Sequence, residues 1–203
     1  MLADELSTYV GTPINNSEAL IERARRGDVE AFNSLFERYA DPIFSFIYRM
    51  VGQHELAEDL TQETFVRAYR KLKGLQLHAG TKLSTWLFSI AKNVARESMR
   101  ARLRDSGRVE ITEQSVLELS DNAPRPDAQL LDRELNSIIQ AALQTLDEDK
   151  RLVFTLRVIQ QRSYEEIAEI TEFSLPKIKT DIFRARAEMR RLLHPYLEAS
   201  DEM

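Results

Sequence analysis

The sequence predicts an all-α protein of two small helical domains joined by a flexible acidic linker. Three observations carry that expectation. Apolar residues recur at three- and four-residue steps through most of the chain, Gly and Pro number only six each, and charged residues make up 30% of the 203 positions. Sparse breakers argue against many short strands, and abundant charge suits exposed helix faces better than a buried parallel sheet. A 43% hydrophobic content at this length suffices for one or two cores.

Residues 1–16 read as a flexible lead, broken by Gly11, Pro13 and the pair Asn15–Asn16. The first helical block covers 17–104. In it Leu20, Ala24, Phe32, Leu35, Phe36, Tyr39, Ile43, Phe46, Ile47 and Met50 mark buried helix faces, Gly27 and Gly52 mark breaks, and Asp28 is placed as an N-cap. The next helix, His54 to Lys73, carries acids in its first half and Arg67, Arg70, Lys71 and Lys73 in its second, as the helix dipole favours. A loop with Gly74 and Gly80 follows. Ser84 is the expected cap of the helix after it, with Leu83 and Phe88 as a hydrophobic staple.

Residues 105–128, with Gly107, Pro124 and Pro126 and little apolar periodicity, read as a linker. The second block covers 129–197. Leu131, Leu135, Ile138, Ile139, Ala142, Leu143 and Leu146 define its first helix, a turn falls at Asp147 to Asp149, and a second apolar helix carries Val153, Phe154, Leu156, Val158 and Ile159. Residues 198–203 form a short tail.

Several functions are excluded. Without cysteine there is no disulfide, thiolate metal site or cysteine nucleophile, and His54, His78 and His194 lack metal-ligand spacing. No histidine–carboxylate cluster or phosphate-cradling glycine loop points to a hydrolase. Neither enzyme activity, a metal nor a cofactor is expected. The lead has no apolar run of signal-peptide or membrane-spanning character, so a cytoplasmic protein with no membrane insertion is expected.

The net charge of −5 argues weakly against nucleic acid, but its distribution does not. Between Lys92 and Arg104 five basic residues stand against Glu97, and between Ser174 and Leu197 six stand against Asp181 and Glu188, so each segment is +4. Between Asp105 and Ala128 six acids against two arginines leave −4. Two basic segments are tethered by an acidic one.

The segment SYEEIAEITEFSLPKIKTDIFRAR, Ser163 to Arg186, carries the sharpest local signal. Ser163 and Glu166 form a capping-box pattern, Ala168 allows close helix approach, and Thr171 to Ser174 break the chain. Ser174 caps the following helix, and Pro176 falls in its first turn, where a missing N–H costs little. With Ile178, Ile182 and Ala185 inward, Lys177, Lys179, Thr180, Arg184 and Arg186 stand outside. A short helix, a tight turn and a basic second helix fit the geometry that enters a DNA major groove; the plainer reading is a solvated basic helix on a bundle.

A second basic helix presents Lys92, Arg96, Arg100 and Arg104 at steps of four, a slowly winding surface stripe, with Trp86, Phe88 and Asn93 on the same helix. Cations beside aromatics suit single-stranded DNA, although aromatics at helical spacing are ordinarily core. Glu55, Glu58, Asp59, Gln62 and Glu63 make a coherent polar face, which the helix dipole and a basic partner explain equally well.

DLTQETFVRAYRKL (Asp59 to Leu72), LSTWLFSIAKNVARESMR (Leu83 to Arg100) and SYEEIAEI…IKTDIFRAR resemble, in order and separation, the hallmark segments of extracytoplasmic-function (ECF) sigma factors of the sigma-70 family, over roughly residues 18–195. The resemblance implies sigma-2 and sigma-4 domains that bind core RNA polymerase, through the β′ clamp helices and the β flap, and promoter DNA. It implies polymerase contacts at Asp59, Gln62, Glu63 and Phe65. The loop from Gly74 to Lys82 and the helix after it would melt and read the −10 element, with Trp86, Asn93, Arg96 and Arg100 toward the non-template strand and Lys71 and Lys73 also among the −10 contacts. Lys179, Thr180, Phe183 and Arg184 fall on −35 contact positions, flanked by Lys177 and Arg186. An anti-sigma partner and a stress or envelope response are implied as well.

Three positions depart from the family pattern. Glu172 stands where Gly or Asn is usual, Pro176–Lys177 where Gly-Thr is frequent, and Asp181 where a base is common, so that an acid there would repel phosphate or accept from a cytosine amino group. The rival readings are a conventional helix-turn-helix regulator acting without core polymerase, and a helical adaptor that binds only protein.

Overall fold

The computed structural model describes residues 17–73, 75, 82–106 and 127–201. The expected lead, most of the Gly74–Lys82 loop, most of the linker and the last two residues lie outside the described residues. Every regular element among those described is helical: α1 Ser17–Arg25, α2 Val29–Val51, α3 His54–Leu72, α4 Leu83–Ser106, α5 Asp127–Thr145, α6 Glu148–Phe154, α7 Tyr164–Thr171 and α8 Leu175–Asp201. A π-helical turn over Thr155–Ile159 extends α6.

Local chemistry sets most of the boundaries. Asp28 is in extended conformation and accepts from the Ala31 amide at 3.1 Å, which starts α2. Gly52, at φ +80°, ends it by returning its N–H to the Tyr48 carbonyl. Asp147 caps α6 through the Asp149 amide. Ser163 and Glu166 make both bonds of the capping box that opens α7. Glu172 ends that helix at φ +65°, a left-handed position at a non-glycine residue. Ser174 lies 3.5 Å from the Lys177 amide at the start of α8, with Pro176 in the first turn.

The α4 boundary differs from the expectation. Leu83 is already helical, and Ser84 is buried inside the first turn, where its hydroxyl accepts from the Arg162 guanidinium instead of capping. The side chain is taken by a residue 78 positions away, which local sequence cannot signal.

Ile43, Phe46, Ile47 and Met50 of α2 pack with Phe65 and Ala68 of α3 and with Leu87, Phe88, Ala91 and Ala95 of α4. Phe46 and Phe88 meet edge to face at 5.4 Å. The same apolar cluster continues without a break into Leu152, Val153, Leu156, Ile167, Ile170, Ile178 and Ile182 of the second half. A smaller cluster, Ala142, Leu143, Leu146, Phe154, Ala185 and Met189, ties α5, α6 and α8 together. The two halves therefore lie face to face, α4 against α7 and α2 against α5.

Polar contacts close that seam. The last carbonyls of a helix have no partner within it, and α2 finds them in the other half. Gln140 donates to the Tyr48 carbonyl at 3.1 Å, Gln144 to that of Arg49 at 3.0 Å, and Arg151 to that of Met50 at 2.6 Å. Arg49 in turn donates to Asn136 and Gln140. Around α4, Arg162 lies 4.4 Å over the Phe88 ring, and Lys82 reaches Glu166 at 3.1 Å.

Candidate nucleic-acid and polymerase interfaces

Helix α3 separates its residues by face. Asp59 and Gln62 are exposed, and Glu63 is half-buried with Arg67 at 2.7 Å; Arg67 also holds Glu97 of α4. Those two carboxylates hold the Arg67 guanidinium more firmly protonated than usual, Glu63 having the larger effect. Phe65, expected among the polymerase contacts, lies in the core: it is 4% exposed and packs edge to face on Phe36. It reaches only the floor of a groove of about 400 Å³ lined by Phe32, Phe36, Gln62, Val66, Tyr69 and Arg70. Phe36, Val66 and Tyr69 expose much of their surface there. An apolar trough with exposed Gln62 in its lining, and exposed Asp59 one turn before it on α3, is the kind of surface that receives a helix carrying apolar and basic residues.

On α4 the expected surface stripe divides in two. Lys92 is 5% exposed, and Arg96 has 17% of its side chain exposed, whereas Arg100 and Arg104 face solvent. Lys92 and Arg96 are covered by the other half: Glu148 and Asp149 of α6 and Phe173 of the α7–α8 turn lie against Arg96, and Glu172 of the same turn lies against Lys92. Burial pulls the Lys92 ammonium below its usual pKa, and Glu172, 3.7 Å away, only partly restores it. Asn93 is exposed, and Lys71 and Lys73 are exposed at the end of α3. Trp86 is half-buried against the core. Asn93, Arg100, Lys71 and Lys73 are thus accessible, and Arg96 is not.

Helix α8 presents Lys179, Thr180, Phe183, Arg184 and Arg186 to solvent, with Phe183 76% exposed. An aromatic kept that far from any core is suited to contact a thymine methyl or stack on a base edge. Lys177 stands apart. It is held by Asp181 at 2.6 Å and Asp149 at 2.9 Å and lies 4.3 Å from the Phe173 ring centroid, and the Asp181 bond above all raises its pKa. Asp181 is 8% exposed and faces inward, so the expected acid on the DNA side is absent there. Among the described residues no group of side chains could hold a metal ion, and no helix is long and apolar enough to cross a membrane.

Sequence reading missed Arg162, Gln144, Arg151, Glu148 and Phe173, the residues that join the halves. The trough aromatics were legible only as helix-face apolar residues.

Residues 35–105 match Sigma-70 region 2, and residues 136–189 match Sigma-70, region 4. The RNA polymerase sigma-H factor of Pseudomonas aeruginosa is 33% identical over 185 residues, covering 89% of this chain and 95% of that protein. The ECF RNA polymerase sigma-E factor of Haemophilus influenzae is 31% identical over 189 residues, covering 89% and 96%. Among solved structures, the sigma factor RpoE in complex with the anti-sigma factor NepR from Bartonella quintana aligns with a TM-score of 0.65 at 27% identity, over 80% of this chain and 96% of that one. CnrH in complex with the cytosolic domain of CnrY aligns at 0.62 with 25% identity, over 88% and 97%. With two ordered regions matched and relatives aligned over nearly their full lengths, this chain belongs to the extracytoplasmic-function family of RNA polymerase sigma factors.

Proposed function

We propose that this chain is an alternative sigma factor that docks on core RNA polymerase through the α2–α3 trough and directs initiation by reading a −35 element with α8 and a −10 element with α4. The observation that carries this reading is the exposed pair Asp59 and Gln62 beside an apolar trough, on the same chain as a solvent-facing basic helix of a helix-turn-helix. Residues 17–104 act as sigma-2 and 129–197 as sigma-4, with 105–128 as the tether between them. Asp59, Gln62 and Glu63 meet the β′ clamp helices, with Phe65 supporting them from beneath, and sigma-4 meets the β flap. Lys71, Lys73, Trp86, Asn93, Arg96 and Arg100 serve the opened strand. Lys179, Thr180, Phe183, Arg184 and Arg186 serve the −35 duplex, and Lys177 joins them only when released from Asp149 and Asp181.

Tethering two weak DNA contacts to one polymerase raises each one's effective concentration, so modest surfaces suffice. No bond is made or broken by the protein. The working place is the cytoplasm, with the polymerase, in a stress or envelope response. RpoE and CnrH are held in their structures by NepR and by the cytosolic domain of CnrY, and an anti-sigma partner of that kind fits this chain.

The test is run-off transcription from a promoter library with purified core enzyme, alongside retention on immobilised core. The wild-type chain yields defined transcripts, and Asp59→Ala with Glu63→Ala loses retention. Wild-type retention by the double variant overturns the docking assignment. A footprint and regulation without core polymerase would favour the conventional regulator.

A further inference from the structure

Helix α8 runs on past the residues assigned to the −35 element, and its outer side stays cationic. Arg190 stands seven residues after Phe183, and Arg191 seven after Arg184, so both keep the side of the reader two turns further on. Both are exposed, and with Ala187 and His194 they line a shallow hollow of about 390 Å³. The opposite side of the same turns is fixed. Ala185 and Met189 are buried with Leu143 of α5 and Phe154 of α6, and Glu188 holds Lys150 of α6 at 2.6 Å.

Charge on this stretch is left unbalanced. Between Lys179 and Tyr196 the only acids are Asp181 and Glu188. The first faces inward and holds Lys177, and the second is taken by Lys150. Among the described residues no carboxylate pairs with Arg184, Arg186, Arg190 or Arg191, whereas Arg23, Arg25 and Arg26 at the end of α1 are neutralised by Glu22 and Asp28. Like charges four residues apart, as in Arg186 and Arg190, weaken a helix, and a bound anion offsets that.

Distance decides which anion. The major groove is ~12 Å wide. With Lys179 to Arg184 at the base edges, Arg190 and Arg191 lie a further ~9–11 Å along the helix, past the groove and over the strand that bounds it. What a guanidinium meets there is a phosphate oxygen, not a base edge. We propose that Arg190 and Arg191 form a phosphate seat for the duplex backbone flanking the −35 element, outside the groove and indifferent to sequence. The proposal rests on reading α8 as the −35 helix.

The test uses the full-length chain and a fluorescent random-sequence duplex, with affinity read by anisotropy across a salt series. Arg190→Gln with Arg191→Gln is expected to lower the slope of log affinity against log salt by about 1.8, from two phosphates at about 0.9 each. Arg190→Lys with Arg191→Lys is expected to keep most of it. The control, Arg23→Gln with Arg26→Gln, removes the same charge from exposed positions at the end of α1 and is expected to leave the slope unchanged. On a promoter duplex recovered from the run-off library, the glutamine pair should lose affinity by the same factor as on the random one, because phosphates carry no sequence information.

An unchanged slope in the glutamine pair, while Arg184→Ala lowers it, overturns the seat and leaves α8 as the −35 helix. If run-off transcription falls all the same, the patch serves an acidic protein surface instead. No change with either variant overturns the reading of α8 itself. An equal loss in the control, or a loss confined to the promoter duplex, overturns the seat in favour of a diffuse field or of base reading.

Discussion

The Met50 carbonyl at the end of α2 accepts a 2.6 Å hydrogen bond from the Arg151 guanidinium, 101 residues further along the chain. Arg151 also donates to Gln144 and to the carbonyls of Gln144 and Leu146, so one side chain finishes two helices from opposite halves. Charged donors to buried carbonyls contribute on the order of 1.5–3 kcal/mol. Arg151→Met keeps the stem and removes the donors, and should lower unfolding stability by about that amount in a urea titration. A loss below about 0.5 kcal/mol would mean that water replaces the guanidinium.

Gly52 and Gln144 give a second test of the seam. Gly52 ends α2 at φ +80°, and a Cβ built on it would lie 3.0 Å from Gln144 Cδ. Gly52→Ala therefore meets both backbone strain and a steric clash, and should destabilise by more than ~1 kcal/mol. In a Gln144→Ala background, which by itself loses the bonds to Arg49 and Arg151, Gly52→Ala should cost less than in the wild-type chain, by the steric part alone, because the left-handed backbone remains strained. No cost of Gly52→Ala in that background would show that φ contributes nothing there.

The α7 cap carries a pH dependence. Burial pushes the Glu166 carboxyl upward, but the Ser163 amide, Lys82 and Arg162 outweigh it and hold the group below its ordinary value. A depressed carboxylate contributes stability above its unfolded pKa, about 4.3, and that contribution is lost as pH falls toward the lower folded value. Glu166→Gln should therefore destabilise at neutral pH and lose less than wild type on acidification through this window. Ser163→Ala should cost about 1 kcal/mol at all these pH values. Parallel wild-type and Glu166→Gln stability curves below pH about 4.3 would count against the assignment.

These caps were legible because each is a local pattern: Asp28 before an apolar run, Ser163 three residues before Glu166, and Glu172 in the turn. The inward side of α8 is legible in the sequence too. Asp181 stands between Ile178 and Ala185 at helical steps, so its burial follows from the same periodicity. Phe65 stands at three- and four-residue steps with the buried Thr61, Ala68 and Leu72, so its place in the core follows from the same periodicity. The covering of Lys92 and Arg96 was not legible. A four-residue stripe fixes which side of α4 the cations occupy and says nothing of what lies over it, and the cover comes from Glu148, Asp149 and Glu172, 52 to 80 residues away. Composition concealed it further, since acids placed to receive these cations also read as ordinary first-turn residues of α6.

The two basic residues Lys177 and Arg184 share α8 but not its environment, and salt dependence should separate them. Each phosphate neutralised contributes about 0.9 to the slope of log affinity against log salt on duplex DNA, through released counterions. Arg184 is exposed one turn after Thr180 on the solvent side of α8, so Arg184→Ala should lower the slope by about 0.9 on a nonspecific duplex. Lys177 is neutralised within the chain by Asp149 and Asp181, and a cation so paired condenses no phosphate. Lys177→Ala should leave the slope nearly unchanged in the free chain, and should reduce it only when Asp149→Asn with Asp181→Asn has removed the pairing. Equal slope losses for Lys177→Ala and Arg184→Ala in the otherwise wild-type chain would show that Lys177 leaves its carboxylates to meet the duplex.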